Sequence, residues 1–245
     1  MLLDCDGSQL EIRVAAALSK DPVLCKEISD GLDLHTDNAK RFFGKTDDAT
    51  RTTCKVLIFR ALYGGSAYSF FMDKKMPNYS IKKWESILEE FYKKYAVLKE
   101  WQDSMYREVC KKGEYQTFTG RIFKFKPEKQ KDGSQQYSWQ QSCNYAVQSV
   151  ATGDIIPLVM WQIWTAIKKQ GLVDVRIINQ VHDSIVIDLP KKDIDQVAQI
   201  CYSKFEQIPQ SVKSYWGYDW QIPMKSDCKI GTNWKDMVDY KKVAK

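Results

Sequence analysis

Residues 51–65 read RTTCKVLIFRALYGG, and every fourth side chain in this stretch is either a cation or an aromatic ring. These side chains are Arg51, Lys55, Phe59 and Tyr63. Because a helix turns by about 100° per residue, the spacing predicts one helical stripe, which the glycine pair at 64–65 ends. The stripe suits a nucleoside triphosphate, with cations for the phosphates and a ring for the sugar or base. An equally good alternative is that the rings of Phe59 and Tyr63 belong to the hydrophobic core, while Arg51 and Lys55 extend their charged ends into water.

Helical periodicity continues on both sides of this stretch, and strands are few. Apolar spacing predicts helices over 9–19, 33–63 (two helices), 80–95, 138–170 and 193–206, and another that ends at Gly113. Apolar or alternating runs predict strands at 2–6, 173–179, 185–189 and near 220–230, and a hairpin over 115–125. A few strands scattered among many helices indicate an α+β fold with a small antiparallel sheet.

The composition narrows the class of protein. The 245 residues are 44% hydrophobic, which is enough for a sizeable core, and the net charge of +6 is compatible with a polyanionic partner. Seven cysteines without a CxxC pair argue against a structural zinc site or a disulfide framework. There is no signal-peptide pattern, and no apolar run approaches the ~20 residues of a membrane span. We therefore expect a cytoplasmic protein without a membrane partner.

Two aspartates stand at strand ends. Asp6 follows the apolar pair Leu2-Leu3, and Asp183 lies at the tip of the hairpin predicted between 173 and 189. If both strands belong to one sheet, the carboxylates can converge on two Mg²⁺ ions, which prefer oxygen ligands. Such ions, about 3.5–4 Å apart, can hold the attacking and leaving oxygens of a phosphoryl transfer. The alternative is that each aspartate only caps a turn.

Three segments in a fixed order resemble the motifs of family A DNA polymerases. Residues 6–13 (DGSQLEIR) resemble motif A, the stripe from Arg51 to Gly64 resembles motif B, and residues 180–183 (QVHD) resemble motif C. Weaker matches lie at 33–35, 119–121, 144–148 and 231–234. The resemblance covers essentially the whole chain, and it implies a palm at 1–32 and 115–245 and a mostly helical fingers subdomain at about 33–114.

The resemblance also implies a role for each matching residue. Asp6 and Asp183 would bind two Mg²⁺ ions that activate a primer 3′-hydroxyl. The dNTP triphosphate would be held by Lys55, Arg51 and His35, and Lys55 would also protonate the departing pyrophosphate. The residues around the sugar and base would be Phe59, Tyr63, Gln9 and Glu11, of which Glu11 would exclude a 2′-hydroxyl. Contacts to primer–template DNA would come from His182, Arg121, Asn144 and Gln148.

The family places a thumb, and in some members an exonuclease, before motif A. Motif A begins here at residue 6, so we expect either a fragment or one product of a split gene, in which a separate polypeptide carries the thumb and exonuclease. The strand at 2–6 is expected to present an exposed edge to that partner. A phage-like origin is a further expectation, and it would place the protein in the cytoplasm of an infected bacterial host.

Three positions depart from the family pattern, and two rival functions stay open. Ser184 stands where glutamate is usual, Arg60 where glycine is common, and Gln140 where arginine is frequent. One rival is a single-subunit RNA polymerase, against which Glu11 argues. The other is a non-catalytic DNA-binding fragment, against which retention of both aspartates and of the stripe cations argues.

Overall fold

The computed structural model describes residues 1–130 and 132–240. The helices are α1 (Leu10–Ser19), α2 (Pro22–Ser29), α3 (Leu34–Phe43), α4 (Asp48–Leu62), α5 (Ala67–Phe71), α6 (Ile81–Lys94), α7 (Ala96–Lys112), α8 (Trp139–Gln148), α9 (Ile156–Lys169), α10 (Ile194–Glu206) and α11 (Ile208–Trp216). The strands are β1 (Leu2–Gly7), β2 (Glu114–Gln116), β3 (Ile122–Lys124), β4 (Glu128–Lys129), β5 (Gln135–Gln136), β6 (Arg176–Val181), β7 (Ser184–Asp188), β8 (Ser226–Gly231) and β9 (Val238–Asp239). A π-helical turn, Ser149–Ile155, follows α8, and a 3₁₀ turn, Lys191–Asp193, precedes α10. The mixed helices and small antiparallel sheet confirm the predicted α+β fold.

The chain forms two compact units. The sheet unit contains Met1–Glu11 and Ser149–Lys245, and the helical unit contains Ile12–Gln148. These bounds differ from those predicted for the palm and fingers, because residues 12–32 and 115–148 belong to the helical unit. The palm and fingers assignment stays a prediction.

In the sheet unit, β1 is the central strand of an antiparallel sheet with the order β6-β7-β1-β8-β9. Side chains alternate between the two faces of a strand. Leu3 and Cys5 are fully buried, and Cys5 contacts Cys201 of α10. Asp4 and Asp6 therefore belong to the opposite face, which is the face that carries the candidate site.

The prediction that residues 2–6 expose a strand edge to a partner is wrong. β1 is hydrogen-bonded to β7 on one side and to β8 on the other. Both neighbours come from the C-terminal part of the chain, so this pairing leaves no trace in the local sequence around β1. The expected polypeptide with a thumb and exonuclease consequently gains no support from this strand.

In the helical unit, one buried carboxylate organises two helix starts. Asp21 is 1% exposed, and its Oδ1 accepts hydrogen bonds of 3.0 Å from the backbone N–H groups of Val23 and Leu24 at the start of α2. Its Oδ2 accepts two further bonds of 3.0 Å from Val97 and Leu98 in the first turn of α7. Because the first N–H groups of a helix have no partner within it, Asp21 caps both helices at once.

The end of α4 requires glycine at position 64. Tyr63 is the C-cap residue of α4, and Gly64 follows with a φ of +73°. A Cβ atom at Gly64 would lie 2.6 Å from both Cδ1 and Nε1 of Trp139. Gly64 is therefore needed both for its left-handed backbone and for the close approach of the indole ring.

Gly64→Ala is expected to lower the free energy of unfolding by about 2–5 kcal/mol. This sum combines ~1–2 kcal/mol for alanine in the left-handed region with ~1–3 kcal/mol for overpacking against Trp139. Chemical denaturation followed by tryptophan fluorescence measures the loss. Gly44→Ala is the matched control, because Gly44 ends α3 with a φ of +71° but has no atom within 4 Å of its would-be Cβ. Equal losses in both variants would contradict the proposed clash.

Several elements differ from the sequence-based expectation. The last predicted strand begins at Ser226 rather than near 220, and the long helix over 138–170 contains the π-helical turn. The helices α2, α5 and α11 were not predicted because they are only five to nine residues long. All seven cysteines are free in the structure.

One helix among the described residues, Trp139–Lys169, is long and apolar enough by length and composition to cross a membrane. In its most apolar 18-residue window, 39% of the residues are buried. The core helix of a soluble protein passes the same test. The sequence predicts this helix over 138–170, but no uninterrupted apolar run marks it, because Asn144, Gln148 and Asp154 interrupt its apolar sequence.

Candidate active site

Strand pairing in the sheet unit brings Asp6 and Asp183 together. Asp6 at the end of β1 lies opposite Ser184, the first residue of β7. The backbone N–H of Gly7 donates a hydrogen bond of 3.0 Å to the carbonyl oxygen of Asp183. The side chains of the two aspartates also interact directly. The structure thus shows the convergence that the sequence analysis made conditional on a shared sheet.

The acidic surroundings of Asp6 change its protonation. Partial desolvation, followed by the negative charges of Asp183, Asp4 and Asp227, raises the pKa of Asp6 to about 6. A divalent cation between Asp6 and Asp183 would relieve this repulsion, and carboxylate oxygens are the donors that Mg²⁺ prefers. Within residues 1–130 and 132–240, no group of three or more His, Cys, Asp or Glu side chains could hold a metal ion. Two aspartates would therefore leave most coordination positions to water and substrate, as is usual for Mg²⁺.

A third carboxylate beside the pair was not anticipated from the sequence. Asp227 of β8 lies directly opposite Asp6, and its Oδ2 accepts a hydrogen bond of 2.6 Å from the hydroxyl of Ser8. A cavity of about 480 Å³ adjoins this face, and its lining includes Asp4, Asp6, Tyr202, Asp227, Lys229 and Asp239. Asp227 belongs to none of the motifs named in the sequence. Only the pairing of β8 with β1 places it beside Asp6.

Two of the predicted binding residues have a left-handed backbone. Gln9, between β1 and α1, has a φ of +52°, and His182, in the turn between β6 and β7, has a φ of +53°. This region is unfavourable for residues other than glycine, and it recurs at functional sites where the surrounding structure imposes it. Glu11 lies two residues after Gln9, half-buried in the first turn of α1.

In the helical unit, α4 carries the predicted stripe. Arg51, Lys55 and Phe59 lie on the helix, and Tyr63 is its C-cap residue. His35, in the first turn of α3, lies beside them, with its ring centroid 6.4 Å from that of Phe59. Burial and the charges of Arg51 and Lys55 lower the pKa of His35, so a neutral imidazole is favoured. The structure therefore brings His35 beside Phe59 of the stripe, and the nucleotide-binding role of these residues stays a prediction.

The two stripe cations have different surroundings. The Nε of Arg51 donates to Asp33 Oδ2 at 3.0 Å and to Thr36 Oγ1 at 3.2 Å. Burial opposes ionisation of Asp33, but hydrogen bonds from Arg51 and Thr36 and the charge of Arg51 lower its pKa to about 2. Lys55 is exposed and makes no ion pair with the residues that the structure describes. A phosphate can thus reach Lys55 directly, whereas it must share Arg51 with Asp33.

Three of the four predicted DNA contacts, Arg121, Asn144 and Gln148, lie in the helical unit, whereas His182 lies in the sheet unit. Asn144 and Gln148 are one turn apart on α8, on the same face. Arg121 is exposed immediately before β3 in the β2–β3 hairpin. Phe123 of this hairpin packs against Tyr145 of α8, with ring centroids 5.5 Å apart. The structure places Arg121 beside α8 through this contact, and the DNA-binding role of all three residues stays a prediction.

Arg60 lines an open cleft of about 570 Å³ beside α8. The cleft is lined by Arg60, Tyr63, Gly65, Ser69, Gln140, Gln141, Asn144 and Tyr145. Arg60 makes an ion pair with Asp73, donates to the carbonyl oxygen of Ser69 at 3.1 Å, and lies over the ring of Phe70 at 5.2 Å. This departure from the family pattern therefore ties α4 to α5 at the cleft wall.

Residues 1–236 match the sequence model of DNA polymerase family A. Thermostable DNA polymerase I of Thermus aquaticus is 26% identical over 240 residues, which are 96% of this chain and 27% of the relative. DNA polymerase I of Streptococcus pneumoniae is 28% identical over 244 residues, which are 96% of this chain and 26% of the relative. The chain thus spans about a quarter of the length of these curated relatives.

Among solved structures, this fold is similar to the POL domain of Pol1 from M. smegmatis, a complex with DNA primer-template and dNTP. The TM-score is 0.79 at 23% identity, over 96% of this chain and 40% of that chain. Motif order, fold and the sequence-model match agree, and the chain belongs to DNA polymerase family A.

Proposed function

We propose that this chain is the catalytic portion of a template-directed DNA polymerase, which adds dNTPs to a primer 3′-hydroxyl by two-metal phosphoryl transfer. The observation that supports this most is the contact of Asp6, at the end of β1, with Asp183, in the turn before β7, in a chain of family A. The arrangement supplies a cluster of negative charge that a substrate phosphate would avoid unless metal ions were bound. A non-catalytic fragment has no need of such a pair.

In the proposed mechanism, Asp6 and Asp183 hold the metal ions in position. Bound Mg²⁺ would lower the pKa of the primer hydroxyl and neutralise charge on the transferring phosphoryl group. With a pKa of about 6, Asp6 is mostly ionised at neutral pH and ready to act as a ligand. The left-handed turn at His182 holds the backbone of the neighbouring Asp183 at the sheet edge.

The residues on α3 and α4 would bind the triphosphate. Lys55 is accessible and supplies a compact charge, and Arg51 offers its guanidinium edge beside Asp33. His35 is 3% exposed, and its Nδ1 has no hydrogen-bond partner among the described residues, so it can bond to a ligand. Phe59 would stack on the nucleotide. Positioning and charge stabilisation dominate this class of reaction, so little side-chain acid–base chemistry is required.

We also propose that a separate polypeptide supplies the thumb and exonuclease, and that both act in the cytoplasm. The support is the membership of family A, which places a thumb before motif A. Phosphate contacts dominate the affinity of proteins for duplex DNA, so a thumb would add most of the affinity for the primer–template duplex.

Primer extension tests the proposal. The chain is assayed on a primed template with Mg²⁺ and either dNTPs or NTPs, alone and with candidate thumb polypeptides. Extension with dNTPs supports a DNA polymerase, and dependence on the added polypeptide supports the split enzyme. Preferential extension with NTPs would favour the RNA polymerase alternative, and no extension under any condition would leave a non-catalytic fragment.

Glu11→Ala is expected to lower discrimination against ribonucleotides by roughly 10²-fold, because it opens space for the 2′-hydroxyl. The measurement is the ratio of kcat/KM for a dNTP to that for the matching rNTP in single-nucleotide incorporation. Glu206→Ala, which removes an exposed carboxylate at the end of α10, is the control and should leave the ratio unchanged. An unchanged ratio in Glu11→Ala would remove Glu11 from the sugar site.

A further inference from the structure

Gln180 has no role in the function proposed above, although it lies three residues before Asp183. Its side-chain Nε2 donates to two backbone carbonyl oxygens, that of Thr152 at 3.2 Å and that of His182 at 3.3 Å. A glutamine amide carries two N–H donors, so one side chain can make both bonds. Gln180 therefore links the β6–β7 turn to the π-helical turn, and both lie within the sheet unit.

The β6–β7 turn needs stabilising contacts in addition to the backbone hydrogen bonds between β6 and β7. His182 has a φ of +53°, which costs energy for a residue with a side chain. β6 is the outer strand of the sheet, and its register with β7 shifts between Ile177 and Asn179. Asp183 is tied to β1 by the hydrogen bond from the Gly7 N–H. On the β6 side, the two hydrogen bonds donated by Gln180 connect the turn to the rest of the sheet unit.

The acceptor at the far end of this link belongs to an unusual segment. A π-helical turn contains one residue more than an α-helical turn, and such turns are rare and concentrate at functional sites. Here Ser149–Ile155 has π-helical hydrogen bonding inside the otherwise α-helical segment Trp139–Lys169. The extra residue changes the direction of the backbone carbonyl groups on this part of the helix, and Thr152 presents its carbonyl oxygen to Gln180.

We propose that Gln180 is a positioning residue, which fixes the β6–β7 turn against the π-helical turn so that the Asp183 carboxylate stays beside Asp6. The role in catalysis rests on the proposed function, whereas the fastening itself does not. The simpler alternative is a polar residue on an outer strand that only faces water. That alternative does not require two acceptors at hydrogen-bond distance from one nitrogen.

The kinetic test compares Gln180→Leu and Gln180→Glu with Gln196→Leu. Gln196 is the matched control, because its Nε2 also donates one hydrogen bond, of 2.6 Å, to Gln170 Oε1, away from the turn. Both Gln180 variants should lower kcat by about 10-fold to 100-fold, since small misplacements of reacting groups have effects of this size. KM for dNTP should change less than about 2-fold and the Mg²⁺ concentration for half-maximal rate should rise. A loss of stability alone would not produce this split.

Amide hydrogen exchange provides a readout that needs no activity. In Gln180→Leu, exchange at Gly7 and at residues 182–184 should become about 10-fold faster, while α10 stays unchanged. Deleting Gly153 should convert the π-turn to α-helix and give the same local acceleration, with no further increase when combined with Gln180→Leu.

The outcomes separate the two proposals. Faster exchange in Gln180→Leu, with no polymerase activity of the unmodified chain either alone or with any candidate thumb polypeptide, would support the fastening and overturn the proposed function. Exchange and kcat in Gln180→Leu equal to those of Gln196→Leu would overturn the positioning role, whatever the activity of the chain. Faster exchange with unchanged kcat in an active enzyme would also overturn it, because the turn would then move without consequence for Asp183.

Discussion

Asp183→Ala is expected to lower the rate of dNTP incorporation by about 10³-fold or more, which corresponds to ~4 kcal/mol in the activation barrier. The reason is that Asp183 contacts Asp6 where β1 pairs with β7, and its removal leaves Asp6 with half of the carboxylate oxygens that the pair offers to the two cations. Single-turnover incorporation on a primed template measures the rate. Asp188→Ala is the control, because Asp188 is an exposed aspartate at the far end of β7, the strand that follows Asp183.

Two further measurements distinguish metal binding from a loss of structure. Binding of Mn²⁺, measured by calorimetry or paramagnetic resonance, should weaken in Asp183→Ala and not in Asp188→Ala. The pKa of Asp6 should fall from about 6 in Asp183→Ala, because the charge and hydrogen bond of Asp183 both raise it. A variant that keeps more than about a tenth of the activity would contradict the two-metal proposal.

Lys55→Leu is expected to lower the incorporation rate by roughly 10²-fold to 10³-fold, with a smaller rise in KM for dNTP. Lys55 is the accessible cation of the stripe, so its loss removes charge stabilisation where the triphosphate develops negative charge. Pre-steady-state incorporation over a range of dNTP concentrations separates the rate from the affinity. Lys82→Leu, an exposed lysine on α6, is the matched control and should behave as the unmodified chain.

Lys55→Arg separates the two roles assigned to this lysine. Arginine keeps the positive charge but stays protonated at all accessible pH values, so it cannot donate a proton to pyrophosphate. Recovery of affinity without recovery of rate would support proton donation. Recovery of both would limit Lys55 to phosphate binding.

Much of the helical architecture was predictable because helices depend on local interactions. The spacing of Arg51, Lys55 and Phe59 predicted α4, and Asp47 indeed caps its start by accepting a hydrogen bond from the N–H of Thr50. The motif order also identified the family, which the sequence-model match confirms over residues 1–236. Each of these features extends over a few neighbouring residues and can be read without knowing the fold.

Strand pairing, in contrast, is decided by residues far apart in the chain. It makes β1 a central strand, where an exposed edge was expected, and it sets Asp227 opposite Asp6. The pKa of Asp6 and the ion pair of Arg51 with Asp33 depend on distances that only the folded chain defines. Local sequence was thus sufficient to name candidate residues for the chemistry. Only the tertiary structure decides which carboxylates meet and which cation stays accessible, because electrostatic interactions depend on separation in space and not along the chain.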